Sequence, residues 1–219
     1  PTSIHKNIEV HCPIVGDCKA ALEGILHLME DQKTDDLKNN RPQWLDQIEE
    51  WKSTTPLKYN QGSEVIKPQF VVEKLYELTK GDAIITTEVG QNQMWAAQYY
   101  HFNKPNHFIT SGGLGTMGFG LPAAIGAKAA CPDKLVVDVA GDGSIQMNIQ
   151  ELMTAVESKI DVKIVILNNQ YLGMVRQWQE LFYEKVYSFT DMENTPDFVK
   201  LAEAYGAKGL RCTRPDEVE

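Results

Sequence analysis

From residue 68 onward, segments of helical period alternate with short, mostly apolar runs, and this alternation constrains the fold more than any other feature. The runs at residues 83–88, 134–140 and 163–167 are apolar nearly throughout rather than at every second residue. That is the pattern of strands covered on both faces. Between and around them, residues 68–79, 91–100, 121–130, 148–158, 172–182 and 195–205 carry helical spacing, and 108–110 and 207–212 read as extended. Pro68 and Thr195-Pro196 open helices, Gly81 stands where a helix cap falls, and Cys131-Pro132 closes another helix. Strand-helix alternation of this kind predicts an α/β domain over residues 64–219, a doubly wound parallel sheet with helices on both faces.

The first sixty residues read differently. Residues 8–12 suggest a short strand. Asp17 is placed to cap a helix whose Leu22, Ile25, Leu26 and Met29 form one stripe. Residues 31–40 are polar and read as a loop. Residues 42–51 predict a second short helix with Trp44, Leu45, Ile48 and Trp51 on one side, the two tryptophans forming a packing face for a neighbouring domain. Residues 52–63, with Pro56 and Gly62, read as a tether. The expected division is therefore 1–36, the tail of a second α/β domain; 37–63, a linker with a short helix; and 64–219. The start without Met and the acidic end at 215–219 are expected of a piece cut from a longer chain, with the last domain truncated.

Charge and composition remove several function classes. Twenty-one basic residues against 30 acidic ones leave a net charge of −9, which argues against nucleic-acid or anionic-membrane binding. No apolar run approaches the roughly 18 residues of a membrane span, and the N-terminus lacks the features of a signal peptide. The four cysteines show no paired spacing and the five histidines no ligand spacing. Reduced thiols and a cytoplasmic location are expected.

In a fold of this kind ligands bind beyond the carboxyl ends of the strands. Three of those ends are unusual: Glu88-Val89-Gly90-Gln91, Gly141-Asp142-Gly143-Ser144 and Asn168-Asn169. Glycines flanking Asp142 allow a sharp turn and close approach to a ligand, and the helix beginning shortly afterwards directs free amides at the same spot. Asp142 and Asn169 lie 27 positions apart, one crossover and one return strand. Their oxygens are thus expected side by side. A backbone carbonyl and diphosphate oxygens would complete an octahedral Mg²⁺ shell.

Gly141-Asp142-Gly143 followed by Asn168-Asn169 resembles the cofactor motif of the thiamine-diphosphate enzymes. The stretches 111–122, 141–152 and 172–179 narrow the resemblance to the large subunit of acetolactate synthase (acetohydroxyacid synthase), over essentially the whole chain. The resemblance implies Mg²⁺ held by the side chains of Asp142 and Asn169 and the carbonyl of Tyr171. It implies cofactor contacts from Val89, Gly90, Gln91 and Asn92, from Gly141, Asp142, Gly143 and Ser144, and from Asn169, Tyr171, Leu172, Gly173 and Met174. Gly115 and Met117 would meet the aminopyrimidine, Met117 as a wedge that bends the cofactor so that its amine approaches the thiazolium C2. Met174 and Trp178 would face the substrate, Trp178 favouring the larger second keto acid.

The implied activity is decarboxylation of pyruvate and its ligation to a second 2-keto acid, giving acetolactate or acetohydroxybutyrate for branched-chain amino-acid synthesis. Homodimers or higher oligomers, FAD in the complete parent and a regulatory small subunit are also implied. The activating glutamate lies in a missing N-terminal domain, so no catalytic residue is expected in this chain, and alone it should have little activity. Asn92 stands where the family often has His, so it can donate to a phosphate oxygen but cannot titrate.

Other readings remain open at this stage. They are another thiamine-diphosphate decarboxylase or oxidase, or a non-catalytic module for dimerisation or regulatory-subunit binding. Gly113-x-Gly115-x-x-Gly118 with Asp138 also matches a dinucleotide fingerprint, but Asp138 lies within an apolar strand rather than at its end.

Overall fold

The computed structural model describes residues 2–30 and 41–218. The chain divides into two compact units, Pro1–Lys58 and Tyr59–Glu219. The first holds two helices, α1 (Cys18–Glu30) and α2 (Pro42–Thr54). Asp17 Oδ1 accepts from Ala20 N at 3.0 Å, which caps α1 as its sequence predicts. In α2, Trp44 and Trp51 pack edge to face with centroids 5.5 Å apart and remain half exposed. The expected strand at 8–12 is absent: that segment is irregular and has no ladder partner among the described residues, and an isolated strand cannot satisfy its backbone. The loop expected at 31–40 lies outside the described residues.

The second unit begins with Tyr59, whose hydroxyl donates to Glu73 on α3 (Pro68–Thr79). The elements that follow are β1 (Ile84–Thr87), α4 (Gln91–Tyr99), β2 (Phe108–Ile109), α5 (Gly120–Ala130) and β3 (Val136–Gly141). They continue as α6 (Glu151–Glu157), β4 (Lys163–Leu167), α7 (Gly173–Phe182) and α8 (Phe198–Ala204). A 3₁₀ turn at Ile145–Asn148 precedes α6, which starts at Glu151 rather than at the expected residue 148. α8 starts at Phe198 rather than at Thr195-Pro196, because Asp197 supplies the cap to Val199 N and Lys200 N. Residues 207–212 do not form the expected strand. Lys208 and Leu210–Cys212 are exposed, and Gly209 lies against Val199.

All four strands are parallel, in the order β2-β1-β3-β4. Side-chain alternation then sends Ile85, Val137 and Val139 to one face, under Val72 of α3 and Ala96 and Tyr99 of α4. Ala140 faces the other way, onto Leu121 and Ile125 of α5 and Leu152 and Ala155 of α6; Ile84 and Val136 pack there with Ala124. Helices therefore cover both faces, and fully burying an Ile or Val contributes about 1.5–3 kcal/mol. The chain leaves β1 toward β2 on one side and returns to β3 on the other. Strand order reverses between β1 and β3, so a crevice opens beyond their carboxyl ends.

Two carboxylates are sealed beneath that crevice. Asp138 pairs with Thr86 in the β1–β3 ladder, accepts from Thr86 Oγ1 at 3.0 Å and has no access to solvent. Its Oδ2 has no partner. Burial, reinforced by the nearby Glu88 carboxylate, pushes its pKa well above the usual range. So buried a group cannot reach a ribose, which removes the dinucleotide reading. Gly120 makes the packing possible, because a Cβ there would fall on Asp138 Oδ1 and 2.5 Å from Glu88 N.

The raised pKa of Asp138 predicts a pH dependence of stability. The folded state keeps a proton that the unfolded chain has already lost, so this residue's contribution declines as pH rises above the unfolded carboxyl value near 4. The slope is at most about 1.4 kcal/mol per pH unit until the folded group ionises. Asp138→Asn mimics the protonated acid and should flatten that decline. Urea melts of both proteins from pH 4.5 to 9 check this; parallel curves would contradict it.

Candidate functional site

An open cleft lies where β1, β3 and β4 end. Gly141 pairs with Leu167 in the ladder, so the turns after β3 and β4 leave the sheet side by side. Val89, Gly90, Gln91 and Asn92 form the cleft wall after β1; Gly141, Asp142, Gly143 and Ser144 form the one after β3. Asn169, Tyr171, Leu172, Gly173 and Met174 line it after β4, and Met117 reaches it from the glycine-rich loop. Gly115 and Trp178 are the two anticipated residues not brought into this lining. Gly115 is exposed in a turn with φ +66°. Trp178 is 54% exposed on α7, edge to face with Phe182.

The turn after β3 carries the strongest electrostatic feature. Asp142 is 1% exposed and its Oδ2 is buried without a hydrogen-bond partner. Burial pushes its pKa up, while the backbone amides of Asp142 itself, Gln170, Gly143 and Asn169 partly oppose the shift. An orphaned buried carboxylate oxygen is costly, and a cation would satisfy it. Beside it, Asn169 Oδ1 accepts from Tyr171 N at 3.0 Å and keeps a second lone pair.

The turn after β4 is held from outside. Leu172 N donates to Thr190 O at 2.9 Å, Met192 N to Gln170 O at 2.8 Å, and the Arg176 guanidinium lies 3.9 Å from the Tyr171 ring centroid. Among the described residues no three His, Cys, Asp or Glu side chains converge on a metal position. The donor set therefore suits a hard cation that takes one carboxylate, an amide oxygen, a carbonyl and ligand oxygens. The residues present fit Mg²⁺ held together with a diphosphate.

Three anticipated contact residues bond instead within the protein. Asn92 is buried and gives both amide hydrogens to backbone carbonyls, Glu88 O at 2.9 Å and Val139 O at 2.8 Å. Its donors are used within the protein and not offered to a phosphate. Ser144 Oγ donates to Glu88 Oε2 at 2.7 Å, so its hydroxyl proton is also committed. Gln91 Nε2 donates to Gln177 Oε1 at 2.8 Å, joining α4 to α7 across the cleft.

Sequence reasoning did not single out Trp95, Leu167 and Val175, which also line the cleft. Trp95 stands four residues after Gln91 on α4, and that spacing was the available signal. Leu167 is the last residue of β4. Nothing in the sequence distinguishes Val175 from its neighbours.

Residues 88–219, more than half of the chain, match the family model described as "Thiamine pyrophosphate enzyme, C-terminal TPP binding domain". The whole chain is 53% identical to the Escherichia coli (strain K12) acetolactate synthase isozyme 3 large subunit, and covers 38% of that protein. It is 52% identical to the acetolactate synthase large subunit of Haemophilus influenzae, again over 38% of its length. With the chloroplastic acetolactate synthase 1 of Nicotiana tabacum it shares 46% identity over 98% of this chain, which is 33% of the tobacco protein. The chain thus spans between 33% and 38% of the length of these relatives.

The two carbonyls held by Asn92 generate a prediction. Asn92→Ala leaves Glu88 O and Val139 O without these donors at the end of the β1–β3 pair. The expected loss is about 2–4 kcal/mol of stability, read as a lower urea midpoint without added ligand. A change below about 0.5 kcal/mol would show that the two bonds do not support this end of the sheet.

Proposed function

The chain belongs to the thiamine pyrophosphate enzymes, with residues 88–219 their C-terminal cofactor-binding domain, and on that premise we propose that it is the cofactor-holding part of an acetolactate synthase large subunit. The observation that carries the reading is the buried, unpartnered Oδ2 of Asp142 beside Asn169, at the point where strand order reverses. Asp142, Asn169 and the Tyr171 carbonyl would hold Mg²⁺. Backbone amides of Gly90, Gln91, Gly143 and Ser144 would bind the diphosphate, and Met117 would support the rings. When bound, thiamine diphosphate (thiamine pyrophosphate) supplies the electron sink that lets a 2-keto acid lose CO₂.

The chain's own residues orient and shield. Asn92 and Ser144 act by fixing the walls of the cleft, since their protons are already committed. Met174 and Trp178 border the substrate path, and a single apolar surface of this kind discriminates an extra methylene by about 1–3 kcal/mol. Pyruvate and a second 2-keto acid are the substrates of the complete protein, acetolactate or acetohydroxybutyrate its products, and branched-chain amino-acid synthesis its setting. Residues 1–36 belong to the end of an FAD-binding central domain, 37–63 to a linker and 64–219 to the cofactor domain. The complete protein forms a homo-oligomer, and the name "large subunit" borne by the bacterial relatives supports a smaller regulatory partner. A cytoplasmic location completes this reading; among the described residues no helix is long and apolar enough to cross a membrane.

Thermal unfolding tests the site. Mg²⁺ and thiamine diphosphate together should raise the melting temperature, each alone much less, and Asp142→Ala should abolish the joint effect. At ligand about 100 times its Kd the stabilisation is about 2.7 kcal/mol. Burial raises the Asp142 pKa, so as pH falls protons compete with the metal for its carboxylate. The joint shift should shrink toward acid pH and grow toward neutrality. A wild type with no joint shift, or a mutant that keeps it, would sink the assignment.

A further inference from the structure

We propose that Glu88, through its buried carboxylate, is a positioning residue that sets the Met117 wall of the cleft before any cofactor arrives; the proposal rests on the cofactor-site reading above. Glu88 is completely buried and does not line the cleft. Its Oε2 accepts from Gly118 N and from Ser144 Oγ, both at 2.7 Å, and its Oε1 accepts from Leu121 N at 3.0 Å. One side chain therefore joins the end of β1, the glycine-rich loop that carries Met117, the start of α5 and the turn after Asp142.

The peptide following Met117 is gripped from both sides. Gly118 N is held by Glu88 Oε2 and, at 3.3 Å, by Ser144 Oγ. Gly118 O accepts from Asn148 Nδ2 at 2.8 Å. Gly118 has φ +87°, and a Cβ there would lie 2.8 Å from Asn148 Nδ2 and Met147 Cβ, so the loop has little room to take another course. Ser144 Oγ also accepts from Val89 N at 3.2 Å. A hydroxyl has one proton, and this one goes to the carboxylate, which leaves its lone pairs for the two amides.

The chemistry requires an acceptor-only group at position 88. Three donors converge on its two oxygens. Glutamine has the same shape but presents an NH₂ on one side, opposite either Leu121 N–H or the Gly118 and Ser144 donors. Aspartate keeps the charge and both acceptors on a shorter reach. With its oxygens engaged and no exposure, Glu88 acts on bound cofactor only through Met117 and Ser144, and it is not the proton-handling glutamate.

The test compares wild type, Glu88→Gln and Glu88→Asp in the complete protein. In cofactor-free protein, amide exchange at 118–121 should quicken at least tenfold in Glu88→Gln, while amides within α3 stay unchanged. With saturating Mg²⁺ and thiamine diphosphate, the near-ultraviolet circular dichroism of the bound cofactor should change. Turnover of pyruvate should fall at least tenfold, with KM for pyruvate within threefold, and Glu88→Asp should lie between the two. A folded Glu88→Gln protein with unaltered exchange, dichroism and turnover overturns the proposal. If Glu88→Gln does not fold, Asn148→Ala, which frees Gly118 from the other side, decides by the same exchange and dichroism readouts. A wild type that shows no joint cofactor shift overturns the site reading and this proposal with it. Wild-type binding with an unaffected Glu88→Gln overturns the proposal alone.

Discussion

The parallel pairing of β1 with β3 is the constraint on which the remaining structure depends. The two strands are neighbours in the sheet although β2 separates them in sequence, and the register sets Thr86 opposite Asp138 and Thr87 opposite Val139. One residue further on, the backbone of Glu88 still bonds to Val139, and Asn92 bridges the two strand ends from α4. A slip of one residue would exchange the faces of every side chain, sending Ile85 and Val137 away from the α3–α4 layer. It would also separate the turns that place Asp142 beside Asn169.

This arrangement carries a cost. Asp138 and Asp142 each bury a carboxylate oxygen without a partner, and both have pKa values raised by burial. The two cases differ in what relieves them. Asp138 lies in mid-strand under α5, where only its own proton can neutralise it. Asp142 lies at a strand end on an open cleft, where a cation and its ligands can reach it. Position along one strand, rather than residue type, separates a structural acid from a ligand-binding one.

The parts of the fold legible in the sequence were those governed by local pattern. Continuous apolar runs located β1, β3 and β4, Asp17 and Pro68 located helix starts, and the spacing from Asp142 to Asn169 located the cleft. What failed depended on partners that local pattern does not encode. Residues 8–12 and 207–212 have strand-like composition but no ladder partner among the described residues, and composition alone cannot supply one. Asp197, a better cap than Thr195-Pro196, moved the start of α8. Asn92 lines the cleft, but the use of its hydrogens could not be read in the sequence, because one of its acceptors lies 47 residues away on β3. Glu88 was visible as a strand-end acid, while its bonding partners lie 30, 33 and 56 residues distant.

The same contrast explains why the site can be both rigid and receptive. Asn92 and Ser144 spend their side-chain protons on the protein itself, and Gln91 spends one of its two, which ties the walls together without any ligand. Idle acceptor capacity is concentrated at Asp142 Oδ2 and supplemented by the second lone pair of Asn169 Oδ1. A cleft with an idle, buried carboxylate oxygen suits a cation directly. It takes an anion such as diphosphate through backbone amides or through that cation. Metal and diphosphate should therefore bind interdependently, each completing what the other needs, and this is the physical reason to expect a joint effect rather than two independent ones.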